Sequence, residues 1–190
     1  MCKLLDAAVE ELVHAPYGEL TVRSVAARAG VSPSTAYTYF PSKDALIGEV
    51  YLRFMRDAEI FTDVNMTTIE RVTAQLREMA LLIADKPRLA NACTSALMAD
   101  DAGANEARTK IAWEISRRIT AALGPGHSPA VAEFLHMAFT GALVHARSTV
   151  GGYTQVAERL ECAVSLVLAS GSASSQRGFV PFSVLSGPAT

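Results

Sequence analysis

The stretch Thr21-Val22-Arg23-Ser24-Val25-Ala26-Ala27-Arg28-Ala29-Gly30-Val31-Ser32-Pro33-Ser34-Thr35-Ala36-Tyr37-Thr38-Tyr39-Phe40-Pro41-Ser42-Lys43 decides how the chain is read. Val22, Val25, Ala26 and Ala29 fall at i, i+3, i+4 and i+7, one face of a short helix whose first free amides Thr21 can cap. Gly30 offers the left-handed residue that ends this helix. Ser32 and Pro33 then make an N-cap followed by a residue suited to the first helical position. Val31, just before the cap, and Ala36, four places after it, have the spacing of a hydrophobic staple, which fixes the angle at which a second helix enters. Two short helices joined by a tight turn containing Gly make a helix-turn-helix.

If Ala36 and Phe40 mark the buried side of the second helix, Ser34 and Thr38 lie opposite, flanked by Thr35 and Tyr37. That outer face is made of hydroxyls, which can donate and accept, and so suits phosphate oxygens and base edges alike. Between Thr21 and Lys43 stand three basic residues, Arg23, Arg28 and Lys43, and no acid. Residues 1–50 as a whole carry four Lys/Arg against six Asp/Glu, so the general electrostatic attraction to DNA is expected to be modest. Each phosphate contact adds only about 0.9 to the slope of log affinity against log salt.

The string Thr21-Val22-Arg23-x-Val25-Ala26-x-Arg28-Ala29-Gly30-Val31-Ser32-x-x-Thr35-x-Tyr37-x-Tyr39-Phe40-x-Ser42-Lys43-x-Ala45-Leu46 resembles the DNA-binding helix-turn-helix of TetR-family (tetracycline-repressor-like) transcriptional regulators. The resemblance implies that Ser32, Ser34, Thr35, Tyr37, Thr38, Tyr39 and Lys43 face DNA, Tyr37 and Lys43 mainly on phosphates, with Thr21 and Arg23 as further candidate contacts. Ala36 and Phe40 would hold the helix in its core. Two features depart from the pattern. Many members carry a basic arm before the first helix, whereas this chain opens on Met1-Cys2-Lys3-Leu4-Leu5-Asp6, so the start is expected to be truncated or the arm absent. The position of Thr38 is often basic in relatives.

Outward from this stretch, Leu5, Ala8, Val9 and Leu12 predict a first helix over residues 3–15, with Glu10 and Glu11 facing solvent. A fourth, long helix is expected from Ser42 to about Ala58, with Asp44 in its first turn where the dipole favours an anion. Thr67-Thr68-Ile69-Glu70 is a capping box opening a fifth, and Pro87 begins a sixth, which the polar segment Asp100 to Asn105 ends. Ile111, Ile115, Ile119 and Ala122 mark a seventh helix. Ser128-Pro129 starts an eighth, running to about Val150, and Thr154 caps a ninth, extending to about Ser170. No segment alternates with period two, so the expected class is all-α with about nine helices. The expected division is a helix-turn-helix head over 1–48, a helical effector-binding and dimerisation domain over 49–170, and a disordered tail over 171–190, where Ser, Gly, Pro and Ala dominate.

Hydrophobic residues make up 50% of the 190 and charged ones 19%, so large buried or partner-covered surfaces are expected. No run is long enough to span a membrane and no signal peptide is evident, which points to the cytoplasm. Cys2, Cys93 and Cys162 are odd in number and widely spaced, against a disulfide framework or a zinc site. His136 and His145 point in opposite directions on one helix, and there is no phosphate loop, nucleophile elbow or paired-carboxylate site. Neither an enzyme nor a cofactor is expected.

The last two helices are apolar on more than one side, through Phe134, Leu135, Ala138, Phe139 and Leu143, then Leu160, Val164, Leu166 and Val167. One side can serve the protomer and the other a second copy, so a homodimer joined by a four-helix bundle is expected, as the resemblance also implies. Ala92, Ala96 and Gly141 leave space that Met79, Cys93, Leu97, Met98, Trp113, Phe134, Met137 and Phe139 could wall, making these the candidate lining for an apolar small effector. Lys86 to Ala102 resembles the corresponding part of TetR-type repressors of sterol or lipid catabolism in actinobacteria. The expected function is that of a ligand-responsive repressor on a palindromic double-stranded DNA operator. The alternative is a regulator without a small-molecule effector, controlled by a protein partner or by oxidation of Cys93 or Cys162.

Overall fold

The computed structural model describes residues 1–146 and 152–171, and the regular structure among them is helical throughout. The elements are α1 (Cys2–His14), α2 (Val22–Arg28), α3 (Pro33–Tyr39), α4 (Lys43–Asp57), α5 (Thr68–Leu81), α6 (Pro87–Leu97), α7 (Ala102–Leu123), α8 (Pro129–Ala146) and α9 (Gly152–Gly171). Packing of α1 on α2 and α4, and of α2 on α3, builds an N-terminal head around Leu5, Ala8, Leu12, Val25, Ala26, Ala36, Phe40 and Leu46, all buried. Farther along the chain, α4 packs on α6 and α7, α5 on α7 and α9, and α8 on α9. The α4 helix runs unbroken through position 48, so one rigid rod belongs to both regions.

The turn of the helix-turn-helix forms as its residues dictate. Gly30 adopts φ 67°, Val31 N–H reaches back to the Ala26 carbonyl at 3.0 Å, and Gly30 N–H reaches the Ala27 carbonyl at 3.2 Å. These paired bonds are a Schellman motif, which satisfies carbonyls that the end of α2 would otherwise leave bare. Thr21 and Ser24 form a reciprocal capping box on α2, and the Ser32 hydroxyl accepts from Thr35 N–H ahead of Pro33 in α3.

The long helices α4 and α7 are joined at both ends. Asp101 caps α7 by accepting from Ala104 N–H at 3.0 Å, and it also accepts at 3.1 Å from the hydroxyl of Ser42, which is itself the N-cap of α4. Small residues then let the rods close on each other, since a Cβ on Gly48 would stand 2.5 Å from that of Ala107 and one on Gly103 2.8 Å from that of Ala45. At the far end the buried Arg118 donates to Glu114 at 2.7 Å and to the carbonyls of Glu59 and Ala58 at 2.9 and 3.1 Å. A buried guanidinium is tolerated only when paired and hydrogen-bonded, and here its partners include the chain leaving α4.

Two boundaries differ from the sequence reading. The polar segment 100–105 does not separate α6 from α7 as a whole, because the Asp101 cap starts α7 at Ala102. Gly152 rather than Thr154 begins α9, with φ 53° that glycine takes readily, so Thr154 lies inside the first turn. The expected end of α8 near Val150 and the expected disordered tail beyond α9 lie outside the described residues.

Candidate functional site

On the head, α3 turns Ala36 inward and leaves Ser34, Thr35, Tyr37, Thr38 and Tyr39 exposed, the two tyrosines at 49% and 53%. Some of the hydroxyls already have partners. Thr38 donates to the Ser34 carbonyl at 3.0 Å, Ser32 and Thr35 hydroxyls lie 2.8 Å apart, and Thr21 accepts from Ser24 N–H at 2.9 Å. Each keeps lone pairs, and each Thr a methyl, free to face outward.

The basic residues of this stretch are in different situations. Arg28 is paired with Glu11 of α1, which limits its pull on an anion and makes Glu11 less solvent-facing than its position in the sequence suggests. Lys43 donates to the Tyr17 carbonyl at 3.1 Å and lies 4.5 Å from the centre of the Tyr17 ring. Tyr17 in turn donates to Asp44, and burial together with that bond pushes the phenol well above its ordinary value. Arg23 is exposed and has no ion pair among the described residues.

A cavity of about 250 Å³ lies in the second region, just below the usual range of roughly 300–1,000 Å³ for ligand pockets. Its walls are Tyr51 of α4, Met79 and Ala80 of α5, Ile83 in the turn after α5, Cys93, Thr94 and Leu97 of α6, and Arg108, Ile111, Ala112 and Ile115 of α7. Met98, His136, Thr140, Leu143, Val144 and Tyr153 complete it. The lining is mostly apolar. Burial pushes the Cys93 thiol up to about 12 and lowers the His136 imidazole below its usual value, so both are uncharged near neutral pH.

Of the eight residues that the sequence suggests as lining, the structure brings Met79, Cys93, Leu97 and Met98 together at this cavity. Trp113, Phe134 and Met137 stand on the exposed surface instead, and Phe139 is buried in the core away from the lining. Sequence reasoning missed Tyr51, Arg108, His136 and Tyr153. The available signal was polar atoms on otherwise apolar helical stripes, as with Tyr51 four places after Ile47 on α4.

Residues 4–50 match the family model described as bacterial regulatory proteins, tetR family. An uncharacterized HTH-type transcriptional regulator of Mycobacterium tuberculosis (strain ATCC 25618 / H37Rv) is 49% identical over 180 residues, covering 93% of this chain and 84% of that relative. The HTH-type transcriptional repressor KstR of Rhodococcus jostii is 30% identical over 176 residues, covering 90% of this chain and 83% of that one. This chain belongs to the TetR family. A crystal structure of a TetR transcriptional regulator from Rhodococcus sp. RHA1 has the same fold, with a TM-score of 0.75 over 88% of this chain and 97% of that one, at 19% identity. The protein is thus a TetR-family DNA-binding transcriptional regulator, and its relatives are regulators rather than enzymes. None of the helices among the described residues is long and apolar enough to cross a membrane.

Proposed function

We propose that the chain is a cytoplasmic, homodimeric repressor that leaves its operator when a mostly apolar small molecule fills the cavity. The observation that carries this reading is the cavity's position against α4 and α7, the two helices locked together by Ser42–Asp101 at the head and by Arg118 at the far end. A ligand pressing on the α7 wall at Arg108, Ile111 or Ile115 acts through those ties on α4, the rod that carries the reading head. In this reading the head spans 1–48, the effector and dimer region 49–170, and α3 enters the major groove. Ser34, Thr35 and Thr38 read base edges, while Arg23, Tyr37, Tyr39 and Lys43 hold phosphates, with Thr21 and Ser32 beside the backbone. Lys43 must exchange its bond to the Tyr17 carbonyl for a phosphate, or share it.

Dimerisation is supported by apolar side chains that one copy leaves in water on α8 and α9, namely Phe134, Met137, Val144 and Leu166, the last 71% exposed. Between the helices lies a groove lined by Ala138, Gly141, Ala142, Val156, Leu160 and Ala163, with His145 and Arg159 as its polar members, where Gly141 has no neighbour within 4 Å of a Cβ position. Such a surface suits a second copy packing as a four-helix bundle. Two heads then meet two half-sites about 34 Å apart. The repressor role draws on the relative from R. jostii, which is named a repressor.

The test is a thermal-melting screen of lipids, sterols and aromatic compounds. A true effector at 100 times its dissociation constant adds about 2.7 kcal/mol to the folded state. It must also weaken DNA binding, and a 100-fold release needs about 2.7 kcal/mol of difference between the two states. Compounds that stabilise the protein without changing DNA affinity would contradict the proposal.

A further inference from the structure

Tyr51 projects from the buried stripe of α4 and is only 3% exposed, yet it lines the cavity. Its hydroxyl has no hydrogen-bond partner among the described residues. Burial raises the phenol above its ordinary value, so the group stays protonated and remains a donor. A donor that lines an apolar cavity without a protein partner gains a hydrogen bond from a ligand that brings an acceptor to it.

Several other polar groups of the lining already have partners. Thr94 donates to the Ala90 carbonyl at 2.9 Å, and the Ser116 hydroxyl lies 2.8 Å from His136 Nδ1. The Arg108 guanidinium donates to the carbonyls of Leu97 and Ala99 at 2.8 and 2.7 Å and also to Asn105. These bonds commit three of Arg108's donors to neutral oxygens along the α6–α7 turn, and with His136 neutral a carboxylate would have to compete with those oxygens for the one cation among the described lining residues.

Resting on the reading of the cavity as an effector site, we propose that the effector is uncharged and carries a carbonyl, ether or hydroxyl oxygen on an apolar body. Tyr51 recognises that oxygen by donating a hydrogen bond, and it is the residue that selects for it. The test uses the full chain and three flexible probes of one length, 2-decanone, decane and decanoate, with binding measured by calorimetry on the wild type and on Tyr51→Phe. The wild type binds the ketone about 3- to 10-fold more tightly than the hydrocarbon, the share that one hydrogen bond supplies. Tyr51→Phe removes that preference, leaves decane affinity unchanged, and melts no lower than the wild type without ligand, because it deletes an unpaired hydroxyl. Equal ketone affinity in the two proteins, or decanoate as the tightest of the three, overturns the inference. If no probe binds the wild type, the effector reading of the cavity fails and the inference goes with it. Equal binding of ketone and hydrocarbon overturns the inference alone.

Discussion

Thr38 and Tyr37 sit side by side on α3 but have different things left to offer. The Thr38 hydroxyl has its proton engaged with the Ser34 carbonyl, leaving lone pairs and a methyl that can meet a base edge. Tyr37 is half-exposed with its hydroxyl open, which suits a phosphate. We expect Tyr37→Phe to weaken operator and random DNA alike by about 3- to 10-fold, the worth of one hydrogen bond. Thr38→Ala should instead change the ranking of sequences. Competition binding on a panel of duplexes separates the two, and equal losses on all duplexes for Thr38→Ala would refute its base-reading role. Cys93 gives a third expectation. Its buried thiol, raised to about 12, should resist a thiol reagent at pH 8 while exposed Cys2 reacts, and Cys93 should label only on unfolding. Rapid labelling of Cys93 in the native protein would instead favour control by oxidation. The head's exposed hydroxyls could be read from the sequence because helical spacing fixes which side a residue faces. The cavity lining could not, since Trp113 and Met137 look like wall residues until the rotation of α7 and α8 turns them to the surface.

The tie between α4 and α7 rests on a few atoms, and so it can be cut. Asp101→Ala removes both the cap on α7 and the acceptor for Ser42, and should destabilise the protein by about 1–2 kcal/mol, read as a lower denaturant midpoint. Gly48→Ala drives a methyl to within 2.5 Å of the Ala107 Cβ and should cost about 1–3 kcal/mol. Adding Ala107→Gly should recover part of that loss. Failure to recover any would place the strain elsewhere. Caps and turns account for how well the helices could be anticipated. Ser32-Pro33, Ser42 and the Thr67–Glu70 box each state a helix start in local chemistry, and each is used. Where Asp101 follows another acid in a polar run, the same cap was hidden, and α7 gained a turn the periodicity did not reveal. The α4–α7 tie itself was not legible, because it joins residues 59 positions apart through side chains that look like ordinary caps.

The molecule as one piece is a reading head, a cavity and an uncovered apolar face, linked by two long helices. If that face belongs to a second copy, Leu166→Asp should yield monomers by sedimentation and lower affinity for a palindrome far more than for a single half-site. An unchanged oligomeric state would remove the dimer from the account. The measurement that bears most directly on the whole is selection of the purified protein on a random duplex pool at near-physiological salt, with Tyr37→Ala as the control. The wild type alone should enrich a palindrome whose half-sites are about one helical turn, roughly 34 Å, apart. Enrichment of no sequence, or of an isolated half-site without a partner, would contradict the proposed function.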